Sequence, residues 1–325
     1  MPVDFSKCLF SSVDMGGCGL LRSYLPAKHL GGAFSGGFNK NLSYEGFKYV
    51  FLQRHYNPEF FTIINYLHAL GIKVYYDLDD DLWNIDKQNP AKKHYTYDIL
   101  SNIERIISMC DGVYVSTTPL KKIVEPLNSN IHVVPNLVEL PVLPNKVSKE
   151  KIRIGYAGSP SHVIDFSKSL ISAIKKLNHK HKDKIEFVFI GYVPDDLKNI
   201  VTYHYGIEPN MYLETINYLD FDIALAPLKN TVFNRSKSNL KWLDYSVCGA
   251  CTVASNVFPY EEINHMYNGV LVYDEREWYD TLLYLINKLD LVKDIANASK
   301  EHVLQNYSWN KASHKQRNVY NSTLK

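Results

Sequence analysis

The feature that most constrains this chain is a series of short apolar runs, each followed by residues at helical spacing, that occurs twice along its length. In the first half FKYVFLQRH is followed by Phe60, Ile64 and Leu67. IKVYYDL leads to Ile99, Ile103, Ile106, Ile107 and Cys110, and GVYVST and IHVVPN come next. Apolar runs of this length predict strands buried on both faces, and their alternation with helices predicts a parallel sheet covered on both sides. Residues 137–150 carry two prolines, mixed charge and no period, which reads as a linker. The pattern then restarts with IRIGYAG, a helix carrying Leu170, Ile174 and Leu177, the strands IEFVFIG and DIALAP, the helix NLKWLDYSV, and the strands ACTVAS and GVLVY. The expectation is an α/β protein of two Rossmann-like, doubly wound parallel-sheet domains, 1–136 and 151–305, facing a central cleft. Residues 306–325 are expected to form a C-terminal helix packing back toward the first domain.

Composition narrows the partners. The 325 residues hold 36 Lys and Arg against 34 Asp and Glu, a formal charge of +2, which exerts no global pull on nucleic acid or an acidic membrane. No charged leader precedes an apolar core, and no apolar run approaches the ~18 residues a bilayer span requires, so a cytoplasmic protein without a transmembrane segment is expected. Oligomeric state is not legible. Five cysteines do not make a disulfide framework. Cys248 and Cys251 have metal-like spacing but no further ligands nearby, and read as small packing residues.

Ligands of open parallel sheets bind at the carboxyl ends of the strands, which directs attention to three loops. MGGCGLLR follows the first strand, and its Gly16 and Gly17 let backbone N–H groups approach an anion; AGSPSH, with Gly158 and Ser159, does the same after the strand at Ile152. YYDLDDDLWN places Asp77, Asp79, Asp80 and Asp81 directly after another apolar run. Crowded carboxylates of this kind are expected to hold one member partly protonated. Farther on, FNRSKSNLKWLDYSVCGACTVAS puts Lys237 and Ser238 at a helix start, with Ser238 as its cap. Lys241 and Asp244 then lie three residues apart, either facing a ligand or forming an exposed helix pair worth only ~0.3 kcal/mol.

That last segment resembles the nucleotide-sugar signature of the GT-B glycosyltransferases, specifically the large, mostly retaining group with an E-x7-E motif. DIALAPL before it, SNVFPYEEI and NGVLVY after it, VVPN at 133–136 and YSW near the C-terminus extend the match. The resemblance implies transfer of a sugar from a nucleotide-diphosphate sugar to an acceptor hydroxyl, with no metal and no cofactor beyond the donor. Asp244 matches the second acidic position, which in the family holds the donor ribose; the first is Ser236 here, a departure from the motif. Lys237 and Lys241 resemble the basic residues that neutralise the leaving diphosphate. The family's Arg and Lys after the first strand of the second domain give way to GSPSH, with His162 as the substitute. Asp79, Asp80, Lys237 and His162 are the catalytic candidates, and Asp77, Asp81, Arg22, Arg54 and Tyr56 the acceptor-side ones.

The acceptor reads as a cell-surface glycan precursor or, since the Lys-, Asn-, Tyr- and Ile-rich composition also suits a bacteriophage enzyme, a hydroxymethylated base in DNA. Lys92, Lys93, His94, Lys121 and Lys122 are the basic clusters available to DNA. Two other readings compete. DLDDDLW resembles the motif of haloacid-dehalogenase-like, magnesium-dependent phosphatases, with Asp77 as nucleophile and Asp79 as acid/base. A non-catalytic nucleotide-binding module is the other, since fold alone does not establish function.

Overall fold

The computed structural model describes residues 2–37, 42–142 and 146–324. Within these, two six-stranded sheets account for every strand, and all the strand pairings within them are parallel. The first contains β1 (Cys8–Ser12), β2 (Ala33–Gly36), β3 (Tyr49–Gln53), β4 (Lys73–Leu78), β5 (Gly112–Val115) and β6 (Ile131–Val133), ordered β2-β1-β3-β4-β5-β6. The second contains β7 (Ile152–Ala157), β8 (Ile185–Ile190), β9 (Thr202–His204), β10 (Ile223–Ala226), β11 (Cys251–Ser255) and β12 (Val270–Val272), ordered β12-β11-β10-β7-β8-β9. The expected architecture of two doubly wound sheets is therefore the observed one. β2 and β9 escaped the sequence reading because they are short edge strands, partly exposed and without an apolar run.

The strand orders locate the crevices. Winding reverses between β1 and β3 in the first sheet and between β7 and β10 in the second, and ligands of such sheets bind outside the carboxyl ends of the strands at that reversal. The MGGCGLLR loop leaves β1 and opens a continuous helical run: Gly17–Gly19, a π turn at Leu20–Tyr24, and Leu25–Leu30. A Cβ at Gly19 would lie 2.3 Å from the Asp14 carbonyl oxygen, so the tight exit from β1 requires glycine there. AGSPSH leaves β7 but does not open an α-helix directly. A 3-10 segment, Pro160–Asp165, intervenes, and the helix Lys168–His181 begins at its own cap, Ser167.

The domains are joined at both ends of the second one. The described ends of the 137–150 linker are pinned: Val138 pairs with Ser308, Lys149 bridges Asp220 and Asp222, and residues 143–145 lie outside the described residues. Ser308 ends the Leu289–Tyr307 helix with extended backbone and caps the next, Trp309–Thr323. This last helix lies on the first domain, where Tyr320 is buried among Phe5, Phe10, Phe51 and Tyr114. Aromatic contacts of this kind contribute about 0.5–1.5 kcal/mol per pair beyond area burial. A second docking point is Phe233, which the second domain inserts among the core side chains of the first. Thr117 also donates to the Ser236 carbonyl (2.7 Å) and Asn136 to the Ser238 hydroxyl (3.0 Å), so the two domains meet in direct contact across the cleft.

Candidate active site

A cavity of about 640 Å³ lies between the domains, at the carboxyl ends of both sheets. From the second domain it is lined by Gly158, Ser159, His162, Lys237, Ser238, Lys241 and Asp244, and from the first by Gly17, Cys18, Asp79 and Asp80. Segments more than 200 residues apart thus meet because each follows a strand next to a winding reversal.

Two charges of the second-domain wall, Lys241 and Asp244, lack protein partners of opposite sign at contact distance among the described residues. The helix Leu240–Val247 is packed on nearly all sides, with Trp242, Leu243, Tyr245, Ser246 and Val247 buried. Asp244 is buried with it and Lys241 is half-buried, which removes the reading of an exposed helix pair. Burial pushes the Asp244 carboxyl up to about 7, against the opposing pull of Lys241; no hydrogen bond to this carboxyl is present among the described residues. Burial, with Lys237 adding repulsion, pushes the Lys241 ammonium down to about 8. Lys241 donates to the Ala157 carbonyl at 2.5 Å and lies over the Tyr156 ring. Gly158 makes room for it, since a Cβ there would lie 2.8 Å from the Lys241 Nζ. Ser238, expected to cap this helix, does not: the cap position is Asn239, and the Ser238 hydroxyl accepts from Asn136 instead. Ser236 is fully buried, donating to the Phe233 carbonyl, so it does not reach the cavity from the position where the E-x7-E motif has its first acid.

His162 is held differently from a diphosphate-binding cation. Its Nδ1 lies 2.7 Å from Asp165, a buried carboxylate that also accepts from the Lys229 N–H and the Asn234 amide. That network assigns the proton to Nδ1 and leaves Nε2 as an acceptor. Burial, reinforced by Lys241, pushes the imidazole down to about 4, so the ring is neutral at pH 7. The expectation that His162 replaces a missing cation is corrected accordingly. Asp165 was missed in the sequence, although His-x-x-Asp in SPSHVID was its signal.

On the first-domain wall the four carboxylates of DLDDDLW divide into two pairs. Asp77 is buried inside β4, where Arg22 donates to both its oxygens at 2.9 and 2.8 Å; the same guanidinium donates to the Val134 carbonyl and to Asn136. Asp81 is fully buried and accepts from the backbone and side chain of the turn at Trp83–Asn84. Asp77, Asp81 and Arg22, expected on the acceptor side, are therefore fastenings of the first domain and its hinge. A nucleophilic Asp77, as the phosphatase reading requires, is inconsistent with that bidentate pair. Asp79 and Asp80 do face the cavity, and Arg54 clamps them with its Nε 2.8 Å from Asp79 and its Nη2 2.6 Å from Asp80. Arg54 sits just past β3 with φ +53°, a conformation rare for a side-chain-bearing residue and costly unless the surroundings enforce it.

The Lys237 ammonium lies 3.6 Å from Asp80, closing the ring of charge between the walls. Burial raises the Asp80 carboxyl, but Lys237 and Arg54 together outweigh it and hold the group down at about 2. Crowding therefore does not leave this carboxylate partly protonated, because the cations neutralise it. Cys18 and one oxygen from each of Asp79 and Asp80 lie within 4.8 Å of one another, a spacing that could gather a cation. Arg54 bridges the two carboxylates, Lys237 adds a second positive charge beside Asp80, and burial raises the Cys18 thiol far above its usual range, so these groups present no thiolate and, with both cations in place, no uncompensated charge to a metal.

No helix among the described residues is long and apolar enough to cross a membrane. No protein-family model and no curated protein matches the sequence. The likeness is to solved structures. HepE from Anabaena, crystallised with UDP, superposes with a TM-score of 0.63 at 12% identity, over 97% of this chain and 100% of that one. A glycosyltransferase from Rickettsia africae gives 0.62 at 15% identity, over 98% and 90%. TarM gives 0.58 at 18% identity, over 84% of this chain and 54% of that one, so the chain spans about half the length of TarM. The fold is that of the GT-B glycosyltransferases.

Proposed function

We propose that this protein is a glycosyltransferase that uses a nucleotide-diphosphate sugar as donor and the hydroxyl of a glycan as acceptor, with retention at the anomeric carbon and without a metal. The observation that carries the reading is the second-domain wall: Lys237, Lys241 and a helix N-terminus form a positive pole, and Asp244 waits without a hydrogen-bond partner in the same cavity. A diphosphate complements the first and a ribose diol the second. HepE, which shares this fold, has also been crystallised with UDP-glucose.

The chemistry follows from charge. As the bond from the anomeric carbon to the diphosphate oxygen breaks, positive charge grows on the sugar and negative charge on the leaving group. The acceptor oxygen bonds to the anomeric carbon, and its proton passes to the departing diphosphate or to solvent. Lys237 and Lys241 stabilise the leaving group, while the Asp79 and Asp80 carboxylates, fixed by Arg54, stabilise the cationic sugar. Asp80 touches Lys237, so the carboxylates lie beside the diphosphate rather than across the sugar from it; an acceptor brought by them enters on the leaving-group face, which supports retention. With Ser236 turned away, the donor sugar lacks a carboxylate contact from that position, and Asp79 and Asp80 on the opposite wall are the carboxylates available to replace it.

The test is incubation with a panel of nucleotide-diphosphate sugars, measuring released nucleoside diphosphate. Release with one or two donors is expected. Tight nucleotide binding with no release from any donor, with or without sugar acceptors, would reduce the protein to a binding module.

A further inference from the structure

The first sheet has its own crevice at its winding reversal, distinct from the cavity just described. It encloses about 390 Å³, within the range of small-molecule sites, roughly 300–1,000 Å³. Asp14 and Gly16 border it from the exit of β1, Gln53, Arg54 and Tyr56 from the exit of β3, and His94 and Tyr95 from the loop beyond β4. Gly17 and Cys18 line both this crevice and the larger cavity, so the two spaces share a wall.

One side chain in it is anomalous. Gln53 is 1% exposed, yet neither its amide nitrogen nor its amide oxygen has a hydrogen-bond partner. A buried amide unpaired on both atoms is costly, and native proteins retain such groups where a ligand supplies the missing partners. The amide can both donate to and accept from hydroxyl groups. Rings stand beside it: Tyr56 meets His94 edge to face at 5.2 Å, and His94 meets Tyr95 at 4.9 Å. The guanidinium of Arg54 is committed to Asp79 and Asp80, and Asp14 at the rim is exposed, so among the described residues no uncommitted Lys or Arg lines the crevice.

We infer that this crevice is the acceptor subsite and that it takes a neutral sugar ring, with Gln53 hydrogen-bonding its hydroxyls and Tyr56 and Tyr95 packing on its apolar face. The inference rests on the proposed transferase reading and deepens it by choosing between acceptor classes. A neutral amide among rings, with a carboxylate at the rim, suits an uncharged saccharide. A DNA strand would bring phosphates against Asp14, with no Lys or Arg free to receive them among the described lining residues. Gln53 and Tyr56 then act as specificity residues, and Arg54, which borders the crevice and clamps Asp79 and Asp80, links the bound ring to the carboxylates of the larger cavity.

The experiment uses the full chain, saturated with whichever nucleoside diphosphate of a panel binds, and follows saturation-transfer NMR of a series of neutral methyl hexopyranosides. A single-stranded oligonucleotide containing 5-hydroxymethylcytosine serves as the competing probe. At least one glycoside is expected to bind, with affinity reduced about tenfold by Gln53→Ala and by Tyr56→Ala, and nucleotide affinity changed by less than about twofold. Tyr56 is partly exposed, so its variant still reports if Gln53→Ala fails to fold. Glycoside binding that neither variant weakens, or no glycoside binding to a nucleotide-loaded protein, overturns the subsite. Oligonucleotide binding that Tyr56→Ala abolishes overturns the sugar in favour of a base. Failure of every nucleoside diphosphate to bind defeats the transferase reading itself, and the subsite with it.

Discussion

The two walls of the interdomain cavity handle charge in opposite ways. On the first-domain side Arg22 closes on Asp77 behind the cavity, and Arg54 clamps Asp79 and Asp80 while Lys237 of the facing wall supplies the second positive charge, so these carboxylates are compensated before any ligand arrives. On the second-domain wall the half-buried Lys241 and the buried Asp244 form no contact pair, and both are shifted toward their neutral forms. A compensated wall is a rigid template for an uncharged substrate and a fixed field for a transition state. A wall with uncompensated charges is under electrostatic penalty until a ligand of complementary charge relieves it. On the function proposed above, the difference fits the donor to the second-domain wall and the acceptor to the first.

The comparison is broken most severely at Arg22. Replacing it by Ala strands Asp77 as a buried carboxylate and is expected to destabilise the protein by about 3–5 kcal/mol, read from urea unfolding. A loss below about 1 kcal/mol would mean that the pair is not the fastening described. Next comes Lys237→Ala, which removes the cation contacting both walls. A fall in turnover of about 10²- to 10³-fold is expected, with folding unchanged by circular dichroism.

Asp79→Asn sharpens the contrast. Turnover should drop by about ten- to a hundredfold while nucleotide affinity, measured by calorimetry, holds. If affinity collapses instead, the donor does not sit on the second-domain wall.

The smallest effect is pH-dependent and concerns Asp244. Its folded carboxyl titrates near 7, so nucleotide affinity is expected to weaken by up to about tenfold from pH 8 to pH 6, as the ribose acceptor is protonated. Asp244→Asn should bind weakly and without that pH dependence. The sign for stability is the reverse. A carboxyl raised in the folded state binds its proton more tightly there than in the unfolded chain, so this group costs stability above about pH 7 and the cost fades as pH falls. Asp244→Asn should therefore melt higher than the parent at pH 8. His162 works in the opposite direction: its depressed imidazole leaves stability intact above its unfolded value near 6.5 and erodes it as pH falls toward 4.

Much of this molecule could be read before folding it. Buried parallel strands need continuous apolar runs and their helices need spaced ones, so the local patterns announced two doubly wound domains and the loops at their strand ends. Lys237, Lys241 and Asp244 were legible because they share one short segment. The roles within DLDDDLW were not. β4 ends at Leu78, so alternation of faces says nothing of Asp79, Asp80 and Asp81, and inside a strand buried on both faces it does not say which partner Asp77 meets. Arg22, 55 residues away, turned Asp77 inward, and the backbone of the following turn took Asp81, leaving Asp79 and Asp80 to the cavity. Gln53 lay outside sequence reasoning altogether, since a polar residue at a strand end signals nothing until its missing partners can be counted. The sequence by itself determined the architecture and the chemistry available at each loop, because secondary structure answers to local pattern. Only the tertiary structure decided which charges were neutralised and which were left for a ligand, because pairing depends on distances between segments that no local pattern encodes.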